Sequence, residues 1–182
     1  MKSLARLACV AILALVASGC ATQVSQPAPI VPSKVRFGEF QAVEMKPIGL
    51  ASAYAEHEAN QKAKTKIEEI LFSRMTMALP SLKRVDGEFS QGEARTLQIE
   101  PYIKEIKFIG GAARFWAGAM AGSSAVLMGV TYRDSKTGEV IAAPEFLRVG
   151  NAYAGAWSMG ASDNQMLETV AMDVVHYSTA NR

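Results

Sequence analysis

The chain has 182 residues, of which 49% are hydrophobic, 8% aromatic and 20% charged. These values exclude a wholly disordered chain and suit one globular domain. The formal net charge of +2 arises from 19 basic and 17 acidic side chains, and Lys2 and Arg6 account for the excess. Cleavage before Cys20 takes 19 residues from the 182 and leaves 163, with 17 basic and 17 acidic side chains. That balance removes the electrostatic case for nucleic acid or an anionic membrane surface as partner.

Residues 1–19 are expected to be a signal peptide. Lys2 and Arg6 form a positive start, and Leu7–Val16 is an apolar run of 10 residues. A bilayer-spanning helix needs about 20 apolar residues, so this run is a leader and not a membrane span. Ala17-Ser18-Gly19-Cys20 resembles the lipobox of bacterial lipoproteins. The resemblance implies an acyl chain, such as palmitate, on the Cys20 thiol, cleavage just before it, and acylation of the new amino group. Two or more chains give stable anchoring, where one gives only marginal binding. Ala21 follows, where an Asp would resemble an inner-membrane retention signal. The periplasmic face of the outer membrane is therefore the expected location. Cys9 and Cys20 are the two cysteines. The folded part is thus expected to hold no disulfide, thiol nucleophile or Cys-based metal site.

Residues 20–33 are read as the lipidated cysteine and a flexible tether. Pro27, Pro29 and Pro32 block helix and favour extended backbone. At about 3.1 Å per residue such a tether reaches roughly 40 Å. Residues 34–182 are expected to form a single globular α+β domain.

Within it, residues 34–43 are rich in Val and Phe and predict a strand. From Ala53 the spacing changes to threes and fours: Ala59, Ala63, Ile67, Ile70, Leu71, Met75 and Ala78 form an apolar stripe ending before Pro80. A short strand is expected near Leu82–Val85, with a turn at Asp86-Gly87. Residues 96–109 predict a long strand. Leu97 and Ile99 occupy one parity, Ile106 and Phe108 the other, so a bulge or bend near Pro101–Glu105 is required. Residues 124–133 alternate through Val126, Met128, Val130 and Tyr132. A turn at Asp134-Ser135-Lys136-Thr137-Gly138 then leads to a return strand from Glu139, a hairpin. Residues 163–180 predict the last helix, with Ser162 and Gln165 as a capping box. Its core stripes are Met166, Val170, Val174 and Leu167, Ala171, Val175. The expected architecture is a mostly antiparallel sheet of about four to five strands with two amphipathic helices on one face.

Two glycine-rich segments stand apart, GGAARFWAGAMAGSS at 110–124 and GNAYAGAWSMGA at 150–161. Phe115, Trp116, Tyr153 and Trp157 are their bulky aromatics and the candidate partner-docking residues. Gly122 is followed directly by Ser123, so the first is no phosphate-binding loop. Gly111, Arg114, Gly118, Gly122, Asp134, Thr137 and Gly138 match a pattern of Gly-Arg-Gly crossover, strand ending in Asp, and Thr-Gly turn before a closing helix. In this the chain resembles bacterial envelope lipoproteins that carry a shared domain of unknown function. The resemblance implies location and fold class, and no reaction. At fold level, the strand–helix–strand start is also similar to periplasmic modules of curli-secretion and penicillin-binding-protein-activator lipoproteins.

Chemistry-bearing motifs are few. His57 stands as Glu56-His57-Glu58, whose side chains diverge on a helix, and His176 lies near a helix end. No G-x-S-x-G elbow, H-E-x-x-H motif or catalytic thiol occurs. No catalytic residue, metal ligand or cofactor is assigned, and the protein is expected not to be an enzyme. The expected function is a membrane-anchored, non-catalytic binding or assembly module of the cell envelope. Its expected partners are the membrane, through Cys20, and another envelope protein or peptidoglycan. An envelope hydrolase with carboxylates paired only in space, and a small-ligand or lipid carrier, are the alternatives.

Overall fold

The computed structural model describes residues 24–108, 123–150 and 161–182. After a 3-10 turn at Phe37–Glu39, the strands are β1 (Ala42–Met45), β2 (Gly49–Leu50), β3 (Leu82–Arg84), β4 (Thr96–Lys107), β5 (Ala125–Asp134), β6 (Val140–Ala142) and β7 (Glu145–Val149). The helices are α1 (Ser52–Ala55), α2 (Glu58–Ala78) and α3 (Ala161–Ala180).

The strands form one seven-stranded sheet in the order β3-β1-β4-β5-β6, with β2 also beside β4 and β7 also beside β5. β1 runs parallel to β3 and β4, and β2 parallel to β4. β5 is antiparallel to β4, β6 and β7. The expectation of a mostly antiparallel sheet of four to five strands is therefore corrected to a mixed sheet. The physical reason is α2. Its 21 residues rise about 32 Å at 1.5 Å each. That length returns the chain to the end where β1 began, so β3 starts out in the same direction.

α2 buries Ala63, Ile67, Leu71 and Met75 at spacings of four, with Asn60 at the head of the row. Asn60 Nδ2 donates to the Tyr54 carbonyl at 2.9 Å, which ties α1 to α2. Ala59, expected in the stripe, is exposed. Met166, Leu167, Val170, Ala171, Val174 and Val175 of α3 are all buried. The two long helices pack against each other on one face of the sheet, α2 also touching β3 and β4, and α3 touching β5 and β7.

The parity conflict in β4 resolves as expected. The register shifts between Ile103 and Glu105. Before the shift, Leu97, Ile99 and Ile103 oppose Asp134, Tyr132 and Met128; after it, Ile106 opposes Val126. One extra residue turns Ile106 to the core face, and all four side chains are buried.

Several elements differ from expectation. The helix expected from Ala53 is interrupted at Glu56-His57, and its long part starts at Glu58. The first strand starts at Ala42, not at 34. Val35, Phe37 and Phe40 still reach the core, but from an irregular backbone held where Phe37 N–H meets the Asn181 carbonyl at 2.7 Å. β7 is an addition to the expected strands, because Pro144 separates it from β6; yet the Pro144 carbonyl itself accepts from Val130 N–H at 3.0 Å and begins the pairing. α3 starts at Ala161, so Ser162 lies inside its first turn and is no N-cap. It is buried instead, and a Cβ on Gly150 would stand 3.4 Å from its Oγ.

Residues 24–33 form neither helix nor strand, and several are bonded to the domain. Ser25 N–H donates to Glu105 Oε2 at 3.2 Å. Tyr177 Oη donates to the Val31 carbonyl at 2.9 Å. Ser33 N–H donates to Asn181 Oδ1 at 2.7 Å, and Lys34 N–H to the Ile141 carbonyl at 3.1 Å.

Candidate functional site

Cys20, Phe115, Trp116, Tyr153 and Trp157 lie outside the described residues, as do Gly111, Arg114, Gly118 and Gly122. The described residues that flank the two glycine-rich segments are neighbours. Lys107 opposes Ala125, and Ala125 opposes Val149. Both segments are therefore rooted side by side at one end of the sheet.

Asp134, Thr137 and Gly138 lie at the opposite end and build a turn. Asp134 Oδ1 accepts from Lys136 N–H at 2.9 Å, and Gly138 N–H donates to the Asp134 carbonyl at 2.9 Å. Gly138 has φ +70°, a left-handed conformation that glycine adopts without penalty. Asp134 Oδ2 takes Arg95 Nε at 2.9 Å and Nη2 at 2.8 Å. Burial alone would push the Asp134 carboxyl up, but the Arg95 hydrogen bond, the N–H groups of Lys136 and Thr137 and the Arg95 charge outweigh it. The carboxyl is held below its ordinary range. Arg95 also lies 4.7 Å over the Phe40 ring. This carboxylate is consumed by structural bonds.

A concavity of about 480 Å³ lies over β2, β4 and β5. Tyr102 sits between Gly49 on β2 and Gly129 on β5 in the strand register. A Cβ on Gly49 would fall 2.3 Å from Tyr102 Cδ2, so the ring occupies the space a side chain would need. Across the row, Lys104 of β4 reaches Glu145 of β7 over Gly129, whose added Cβ would meet Lys104 Cε at 3.3 Å. Lys46 and Glu100 form a second pair at 3.0 Å. Pro47, Pro101 and Pro144 complete the walls. The trough offers a half-exposed aromatic face, two ammonium groups and two carboxylates. It suits stacking and hydrogen bonding. Both carboxylates are engaged by lysines, which suits recognition better than acid–base work. Sequence reasoning missed this site, since the Gly-Tyr-Gly row spans three strands and only the sheet register brings it together.

His57 and His176 are exposed and stand on different helices' ends, His57 directly ahead of α2 and His176 near the end of α3. Among the described residues, no group of three or more His, Cys, Asp or Glu could hold a metal ion, and no helix is long and apolar enough to cross a membrane. Tyr132, fully buried, shares a 2.7 Å hydrogen bond with Ser178 Oγ. Ser178 itself donates to the Val174 carbonyl at 2.8 Å, which leaves Tyr132 as the donor. Burial raises the Tyr132 phenol well above its ordinary value, so it stays a neutral core residue.

No protein-family model and no curated protein matches this chain. Solved structures do. PelC from Paraburkholderia phytofirmans, crystallised as a dodecamer, is similar with a TM-score of 0.55 and 15% identity over 86% of this chain and 97% of that one. A point variant of the same PelC gives 0.53 and 13% over 86% and 100%. XCC0632 from Xanthomonas campestris, of the DUF330 family, gives 0.46 and 9% over 86% and 91%. A minor lipoprotein from Acinetobacter baumannii gives 0.36 and 12% over 76% and 94%. At these identities the likeness to PelC is one of fold.

Proposed function

We infer that this protein is a bacterial envelope lipoprotein, anchored through acyl chains on Cys20 at the periplasmic face of the outer membrane, whose domain is a non-catalytic binding or assembly module. The observation that carries this reading is the sequence Ala17-Ser18-Gly19-Cys20 behind a short apolar run. Three further points support it. The folded part holds no cysteine and no sequence motif of a hydrolase. The trough around Tyr102 binds its carboxylates to lysines. The space between sheet and helices is filled by Ile67, Leu71, Met75, Ile103, Met128, Val170 and Val174, all at 0% exposure, which argues against a lipid carrier.

Self-assembly is the form of association that one observation favours, since PelC, of similar fold, crystallised as a dodecamer. Docking through Phe115, Trp116, Tyr153 and Trp157 to a second envelope component is the other form. Native mass spectrometry of the detergent-solubilised protein, with photo-crosslinkers placed at Trp116 and Trp157, tests both. A defined oligomer, or crosslinks to one envelope protein or glycan, is the expected result. A monomer without crosslinks overturns the assembly reading.

A further inference from the structure

The proline-rich segment runs as a strap. At its upstream end Ser25 is bonded to Glu105, which opposes Leu127 and through it Leu147. At its downstream end Ser33 and Lys34 are bonded to Asn181 and Ile141, next to Ala142, which opposes Tyr132. Leu127 and Tyr132 are five residues apart on one strand, about 17 Å. Between these points the strap crosses the β7 edge, where Pro27, Pro29 and Ile30 line a cleft with Phe146, Arg148 and Tyr177. Tyr177 Oη also fixes it at Val31, close to the downstream end.

We propose that this strap sets how the domain stands on a phospholipid surface: the end of the sheet formed by Lys107, Ala125 and Val149 faces the bilayer at short range. The inference rests on the acylation of Cys20. Acyl chains in the bilayer hold Cys20 at the lipid–water interface. Only five residues lead from there to Ser25, and five residues span at most about 18 Å. A tether loose as far as residue 33 would span roughly 40 Å and allow every orientation. With the strap clasped, the chain enters the domain within two residue pairs of Val149, which is 58% exposed. The turn after Asp134 is the far end, about 30 Å away along β5.

The mature chain has no cysteine besides Cys20, so a single reporter can be placed by Val149→Cys or, at the far end, Lys136→Cys. Each acylated protein is labelled with a fluorophore and reconstituted in phosphatidylethanolamine–phosphatidylglycerol vesicles that carry a headgroup nitroxide quencher. The expected result is loss of most fluorescence at 149 and almost none at 136. Adding Glu105→Ala together with Tyr177→Phe and Asn181→Ala removes the anchors at Ser25, Val31 and Ser33 and, after checking that the melting transition persists, should bring the two sites toward equal quenching. Equal quenching in the otherwise unaltered protein, with acylation confirmed by mass, overturns the orientation and leaves the lipoprotein reading standing. Absence of acyl mass overturns both. Unequal quenching that the strap variants leave unchanged overturns the role given to the strap.

Discussion

Arg95 sets both Nε and Nη2 on a single oxygen of Asp134, at 2.9 and 2.8 Å, and that carboxylate is 2% exposed at the end of β5. The pair joins the residue before β4 to the last residue of β5, so it closes the central antiparallel pair at one end. Asp134→Asn should lower stability at neutral pH by about 1–3 kcal/mol. The pH dependence has a fixed sign. The folded carboxyl is held below its unfolded value of about 3.9. Its contribution is therefore complete above that value and is lost as pH falls through the folded one. Urea unfolding at stepped pH should show the gap between the two proteins closing on acidification. A gap that widens there contradicts the account.

Leu71 is fully buried in the α2 stripe. Leu71→Ala should cost about 2–5 kcal/mol, because the filled interlayer collapses only in part around the lost atoms. Ala59→Leu, on the exposed side of the same helix, should change stability by less than about 0.5 kcal/mol. Chemical denaturation of both variants distinguishes a real core stripe from a generally apolar helix.

Much of this core was legible in the chain. The stripes of α2 and α3 follow from 3.6-residue periodicity, and the bulge in β4 follows from the clash of parity between Ile99 and Ile106. Sheet order was not legible. Nothing local in Val43 records that Leu82 and Leu97 flank it in parallel; that depends on where α2 returns the chain. The strap bonds were equally hidden, since Tyr177 and Asn181 lie 146 and 148 residues from their partners. The trough around Tyr102 was hidden for the same reason, as Gly49 and Gly129 become its neighbours only through register.

The Tyr102 trough depends on absent side chains. Gly49→Ala should displace the Tyr102 ring, since the new Cβ would lie 2.3 Å from Cδ2, at a cost of about 1–3 kcal/mol. Tyr102→Ala in the same chain should relieve most of that cost. A double-mutant cycle by thermal unfolding checks the coupling. Additive effects of the two substitutions would contradict the contact.

Gly138→Ala places a Cβ at φ +70° and should cost about 1–2 kcal/mol. Gly138→Asn should cost less, because Asn tolerates the left-handed region. Both follow from melting curves, and equal losses would contradict a purely conformational origin.

The most direct measurement is the intact mass of the mature protein and of its N-terminal peptide, extracted from membranes of cells expressing the full chain. The expected result is a chain that begins at Cys20 and carries acyl chains on its thiol and amino group, with Cys20→Ala abolishing the added mass and releasing the domain from the membrane. A chain cut elsewhere, or one beginning at Cys20 with no acyl mass, would contradict it.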